Sequence, residues 1–233
     1  MYSSKDSDTA SSNRTAAVGP DAATEQRSGI DFAAPLGGAA AGHLLFPAGA
    51  AGVTLHVDPT LVELCRAHFE RHIPTVQAQD GVVTIRYPSF SLFNWLVYWR
   101  EPVAEVTLTA ALPWQIKIHG GVSKLTADLR GLRLAKLSID GGASGVLVML
   151  PAPVGRVPIR IGGGASNVTF RRAAAIAARV HVQSGASNLT VDEHYFGAMS
   201  GEIHWETPEA RQAADYYDIH IGGGASNLTI GSD

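Results

Sequence analysis

Apolar and polar residues alternate in short runs through the C-terminal half of the chain, and the runs recur at near-constant spacing. Ile116 and Ile118, Leu137 and Ile139, Ile159 and Ile161, Val180 and Val182, and Ile219 and Ile221 each stand seven and five residues before a serine. Leu125 and Ala127, Val146 and Val148, Val168 and Phe170, Leu189 and Val191, and Leu228 and Ile230 follow the same serine by two and four residues. Such alternation predicts β-strands with one buried face, since successive side chains of an extended chain point in opposite directions. Across the serine the inward parity switches from odd offsets to even ones. A strand that changes parity must turn a corner, and Gly163-Gly164-Ala165 or Gly223-Gly224-Ala225 suits one.

The serines are Ser123, Ser144, Ser166, Ser187 and Ser226, spaced 21, 22, 21 and 39 residues apart. Three near-equal periods and one almost doubled predict a coil of about 21 residues with one insertion. Stacked coils pair equivalent residues in parallel and in register, about 4.8 Å apart. The serines then form a corner ladder, and Asn167, Asn188 and Asn227 form a second ladder whose amides hydrogen-bond along the stack. Leu44 and Phe46, followed by Gly49 to Leu55 with Ala51 in the serine place, echo the template upstream. Val83-Thr84-Ile85 and Val106-Thr107-Leu108 read as further copies of the strand after the corner. The pattern predicts an all-β solenoid over residues 43–233, with about seven or eight rungs.

Two short helices are expected to interrupt it. Asp58-Pro59 looks like an N-cap with proline at the first helical position, and Leu61, Leu64, Cys65 and Phe69 share a helical face over 59–71. An insertion over 192–218 should hold an extra strand from Gly201 to Glu206 and a second helix from Thr207-Pro208 to about Tyr216.

Composition narrows the class. Among 233 residues, 18 basic and 21 acidic side chains give a net charge of −3, too balanced for binding nucleic acid by broad phosphate neutralisation. Hydrophobic residues make up 45%, enough for a core. Cys65 is the single cysteine, which excludes an intramolecular disulfide or a cysteine zinc cage. Residues 1–42, rich in Ser, Ala, Thr, Asp and Gly, read as a disordered leader. It lacks the charged start, apolar stretch and cleavage site of a secretory signal. The uncharged stretch Ala33 to Leu55 is too rich in Ala and Gly, and too interrupted by Pro35 and Pro47, for a membrane helix. A cytoplasmic location is expected.

With Gly-Ala-Ser corners followed by short alternating strands, as in Gly223 to Ile230, residues 43–233 resemble uncharacterised bacterial β-strand-repeat families related to the putative auto-transporter adhesin head domain. The resemblance implies a single-stranded, right-handed parallel β-helix and supplies no catalytic motif.

The side-chain chemistry points the same way. No Gly-Lys-Ser/Thr follows the glycine clusters and no helix starts there, so they are corners rather than phosphate loops. Five serines at one repeat position form a ladder, whereas a nucleophile is single and paired with a base. The sequons at Asn167, Asn188 and Asn227 arise from the repeat itself and are expected to be unmodified. His181 and His220 occupy equivalent positions behind Arg160, so two imidazoles could share a metal, but no third ligand is visible. Glu202, His204 and Glu206 alternate along one strand and are the best acid/base or metal candidates; an edge strand's charged face has the same pattern. Phe90 to Trp99 holds five of seventeen aromatics, with Phe93, Trp95 and Trp99 either capping the core or forming an exposed patch.

The expectation is a non-enzymatic structural or protein-interaction module, with no catalytic residue, metal, cofactor or small-molecule substrate assigned. No cap is visible after Ile230, so self-association through that C-terminal rung is expected, with the insertion as a second contact surface. One alternative is a hydrolase or carbohydrate-binding protein using Glu202, His204 and Glu206. Another is a membrane-surface sensor using the aromatic segment.

Overall fold

The structure, a computed structural model, describes residues 29–70, 73–87 and 103–232. The chain begins with β1 (Ile30–Ala34) and a coil of two strands, β2 (Gly42–Phe46) and β3 (Ala50–Asp58). Next come β4 (Cys65–Glu70) and β5 (Thr75–Gln79), then a coil of β6 (Val82–Arg86) and β7 (Val103–Thr109). Three regular coils follow: β8 (Pro113–Ile118) with β9 (Val122–Asp128), β10 (Arg133–Ile139) with β11 (Ala143–Met149), and β12 (Arg156–Ile161) with β13 (Ala165–Arg172). The last part holds β14 (Ala177–Val182) and β15 (Ala186–Val191), then β16 (His194–Met199) and β17 (Ile203–Glu206), and finally β18 (Tyr216–Ile221) and β19 (Ala225–Ser232).

The fold is all-β, with two mixed sheets. The first strand of each of the seven parallel coils joins a front sheet, ordered β17-β14-β18-β12-β10-β8-β2-β6-β5. The second joins a back sheet, ordered β1-β4-β7-β3-β9-β11-β13-β19-β15-β16. Within each sheet the strands of seven coils run parallel, and equivalent residues meet: Ser144 lies beside both Ser123 and Ser166, and Val146 beside Leu125 and Val168. All twenty apolar positions of the alternating pairs are at most 2% exposed, packed between the sheets. Each of the larger ones, all but Ala127, stabilises the stack by roughly 1.5–3 kcal/mol, before the entropy of ordering is set against it.

The corners continue the ladder instead of interrupting it. The amide of Gly141 donates to the Gly120 carbonyl at 2.7 Å, Gly163 to Gly141 at 2.9 Å, and Gly223 to Gly163 at 3.0 Å. That approach leaves no room for side chains. A Cβ on Gly162 would sit 2.3 Å from the Asp140 carbonyl oxygen, and one on Gly222 would sit 2.5 Å from that of Gly162. The residue after the corner serine is left-handed: φ is 55° at Lys124, 63° at Gly145, 53° at Asn167, 52° at Asn227 and 55° at Asn188. Asparagine tolerates that region better than most residues, which explains its recurrence.

The coils do not stack in chain order. Ser226 pairs with Ser166 on one side and Ser187 on the other, so the column runs Ala51, Ser123, Ser144, Ser166, Ser226, Ser187. The last coil has slipped between two earlier ones. Ile230 is therefore fully buried in an internal strand, and the free C-terminal rung expected from the sequence does not exist. The other end mirrors this arrangement: the β6–β7 coil lies outside β2–β3, although it follows it in the chain.

Each end of the parallel stack is covered by a coil running backwards, whose strands become the new sheet edges except β4, which β1 covers. At one end β4 is antiparallel to β7 and β5 to β6; at the other β16 is antiparallel to β15 and β17 to β14. The buried Arg172, at the end of β13, reaches across β19 to Asp192 in the β15–β16 turn, at 2.6 Å, and ties one reversed coil to the stack.

Several local expectations are corrected. Residues 59–70 form no helix: after a turn they enter β4, with Cys65, Ala67 and Phe69 buried at period two, and residue 71 lies outside the described residues. Leu61, Cys65 and Phe69 fit a four-residue helical spacing and an even strand spacing equally well, so spacing alone does not separate helix from strand here. Asp58 caps a turn, accepting from the Thr60 amide and hydroxyl, each at 2.7 Å. The second helix shrinks to a single 3-10 turn, Pro208–Arg211, and Tyr216 already begins a strand. Val83 and Ile85 lie in a front-sheet strand paired to β2, not in the back sheet where the strands after the corners lie. Part of the supposed leader, Ile30–Ala34, is a strand paired to β4. Phe93, Trp95 and Trp99 lie outside the described residues. No helix among the described residues is long and apolar enough to cross a membrane.

Two measurements probe this packing. Asn227→Gly should lower stability by about 1 kcal/mol by removing ladder hydrogen bonds, and Asn227→Ala by about 1 kcal/mol more, because alanine also resists the left-handed backbone. Denaturant titration of both variants would show that order, and equal losses would discount the backbone contribution. Burial pushes the Cys65 thiol up to about 12. A thiol reagent at neutral pH should therefore label the native protein far more slowly than the unfolded chain; rapid native labelling would contradict the buried placement of β4.

Candidate functional site

The outward face of the front sheet carries one column of unusual composition. Parallel pairing sets Arg160 beside His220 and His220 beside His181. The reversed strand β17 then sets His204 opposite His181. Three histidines thus occupy three neighbouring strands, although they lie at 181, 204 and 220 in the chain. Their convergence follows from the coil order: β18 pairs with β14 only because the last coil inserts beside it.

The rings touch. His181 stacks on His204 with centroids 4.2 Å apart and planes 17° apart, and meets His220 edge-on at 4.5 Å. Glu202 stands on the crossing from β16 to β17, just after Gly201, whose φ of 82° forms the turn. Its Oε1 lies 2.5 Å from His181 Nε2 and 3.2 Å from His204 Nε2. His181 Nδ1 faces His220 Nδ1 at 2.9 Å. The hydrogen bond from His181 holds the Glu202 carboxyl below the usual carboxylate range, with the charges of His204 and His181 assisting. Burial pushes the His220 imidazole down, reinforced by His181 and Arg160 against the opposing pull of Asp218 and Glu202. The cluster therefore combines an ionised carboxylate with a histidine that favours its neutral form.

Glu206, expected to act with Glu202 and His204, is engaged elsewhere. It binds Arg211 at 2.6 Å and lies 3.8 Å from Arg179, and the Arg211 hydrogen bond lowers its carboxyl. Arg179 also donates to the Ala210 carbonyl at 2.8 Å and lies 4.5 Å over the Tyr216 ring. An open groove of about 550 Å³ runs beside the cluster, lined by His181, His204, Trp205, Glu206, Arg211 and Asp218 among others.

The other singled-out residues behave as ladders. Ser123, Ser144, Ser166, Ser226 and Ser187 line the corner edge. The asparagine amides do bond along the stack: Asn188 donates to Asn227 and Asn227 to Asn167, each at 2.9 Å. Tyr195, on the reversed strand β16, ends the row by donating to Asn188 Oδ1 at 2.9 Å. Sequence reasoning found both halves of the histidine cluster but kept them apart, because the link between them is an antiparallel pairing with no local signature.

The chain's similarities to known proteins concern the fold. The family model for the N-terminal domain of toast_rack, DUF2154, matches residues 66–171. The matched segment stops short of every residue of the cluster. No curated protein matches the chain. A crystal structure of a putative cell adhesion protein from Clostridium sporogenes ATCC 15579 superposes with a TM-score of 0.65 at 18% identity, covering 88% of this chain and 99% of that one. At that identity the likeness shows a shared fold.

Proposed function

We propose that the protein is a non-enzymatic, protein-interaction module built as a right-handed parallel β-solenoid whose ends are closed by reversed coils. The solenoid reading rests on the two-sheet, parallel, in-register stacking, and its kinship to adhesin head domains rests on the recurring Gly-Ala-Ser corners. An adhesive role draws support from the shared fold with a putative cell adhesion protein.

One observation carries the interaction reading. Strand β16 ends the back sheet, so one row of its backbone groups pairs with no other strand among the described residues. Its side chains include Tyr195, 66% exposed, and Met199, 39% exposed. An edge of this kind is a template for adding another strand. Self-association is accordingly assigned to β16, in place of the buried Ile230.

Gly197 lies mid-strand, and a Cβ built there meets nothing within 4 Å, so Gly197→Lys can place a charge on the edge without disturbing the core. Light scattering over a wide concentration range should show a wild-type dimer whose dissociation constant rises at least about tenfold in Gly197→Lys, roughly 1.4 kcal/mol. Monomers throughout for both proteins would defeat self-association.

A further inference from the structure

We infer that His181, His204 and Glu202 form a binding site for a borderline divalent metal ion of the zinc class. This site is independent of the β16 edge and stands or falls separately from it. One ligand atom from each of His181, His204 and Glu202 lies within 4.8 Å of the other two. Around a tetrahedral ion with bonds near 2.1 Å, neighbouring ligand atoms stand about 3.4 Å apart. The His204–Glu202 separation of 3.2 Å is already close to that value. The His181–Glu202 contact of 2.5 Å must open when a larger ion takes the place of the shared proton.

Two imidazoles and one carboxylate form a mixed set that suits zinc and neighbouring transition ions better than the all-oxygen preference of magnesium or calcium. The backbone provides the convergence. His181 and His204 face one another across the antiparallel β14–β17 pair, where side chains come close. Parallel rings do not yet aim both lone pairs at one point, so His204 must tilt. Its side chain is 67% exposed and free to do so. His181 is less mobile, because its second nitrogen is engaged by His220 at 2.9 Å. That contact makes His220 a positioning residue, holding the ring with Nε2 turned toward Glu202, as outer partners of metal-bound histidines do. A fourth position remains open toward the groove beside the cluster.

The ion would join three pieces of chain: the inner strand β14, the reversed strand β17, and the crossing that carries Glu202. It would act as a clip on the end of the front sheet.

The test uses the untagged full chain, stripped with EDTA and titrated calorimetrically with Zn²⁺, and separately with Mg²⁺. One equivalent of zinc should bind, with magnesium giving no saturable signal. His204→Gln and Glu202→Gln should each weaken zinc binding at least about tenfold. His119→Gln removes a different surface histidine–carboxylate contact, with Asp140 at 2.6 Å, and should leave affinity unchanged. Zinc at about a hundredfold excess over its dissociation constant should raise Tm by about 5 °C, reversibly with EDTA. Absence of saturable zinc binding, unchanged affinity in His204→Gln, or loss of the site in His119→Gln would overturn the assignment. Should a ligand variant fail to fold, the wild-type thermal shift decides: no zinc-dependent rise in Tm sinks the proposal.

Discussion

Close backbone stacking at the corners is the constraint on which the molecule depends. Where Gly162 passes over Asp140 and Gly222 over Gly162, a methyl group would lie within 2.5 Å of a carbonyl oxygen. The coils can reach hydrogen-bonding distance at the corner only because nothing projects between them. Once the corner amides are paired, register is fixed on both sides of the bend. One residue of slip would turn the inward valines, leucines and isoleucines to solvent on both sheets. The left-handed residue after the serine belongs to the same constraint. It lets the chain leave the bend with its parity changed, and where that residue is asparagine its amide adds a bonded row along the outside.

A parallel stack leaves a row of unpaired backbone groups at each end, and at both ends the chain covers that row in the same way, with reversed strands that form the new edges except where β1 covers β4. It doubles back, laying an antiparallel strand on each sheet, and then returns to fill a slot further in. The cost is non-local pairing: Ser166 meets Ser226 and not Ser187. The gain is that chain entering late becomes core, with Ile219, Ile221, Leu228 and Ile230 fully buried. The histidine cluster is a product of this topology. β18 brings His220 to one side of His181, and the reversed β17 brings His204 to the other. Site and end closure thus share the same pairings. The Arg172–Asp192 contact holds the turn that starts the reversed coil.

Much of this was legible locally. Alternation identified the buried face of ten strands, and the recurring Gly-Ala-Ser placed their corners. The in-register serine and asparagine columns followed from repetition alone. A further signal was present in the sequence: Ile161 to Asn167 and Ile221 to Asn227 are identical, residue for residue. Their glycines match because they stack on each other, and that identity points to the true neighbour of the Ser166 coil. The helical reading of 59–71 failed where spacing fits both periods, so the partner strands β1 and β7 decided the matter.

The amino-acid sequence by itself determined which residues face inward, where the chain bends and which backbone positions exclude a side chain. These depend on short-range alternation and on the sterics of glycine and asparagine, which neighbours along the chain settle. Tertiary structure alone decided the order of the coils, the reversed strands at the ends and the meeting of His181, His204, His220 and Glu202. Those depend on pairing between distant segments, where several partners offer nearly equal hydrogen bonds. Local sequence cannot choose among them; the packing of whole coils against one another does.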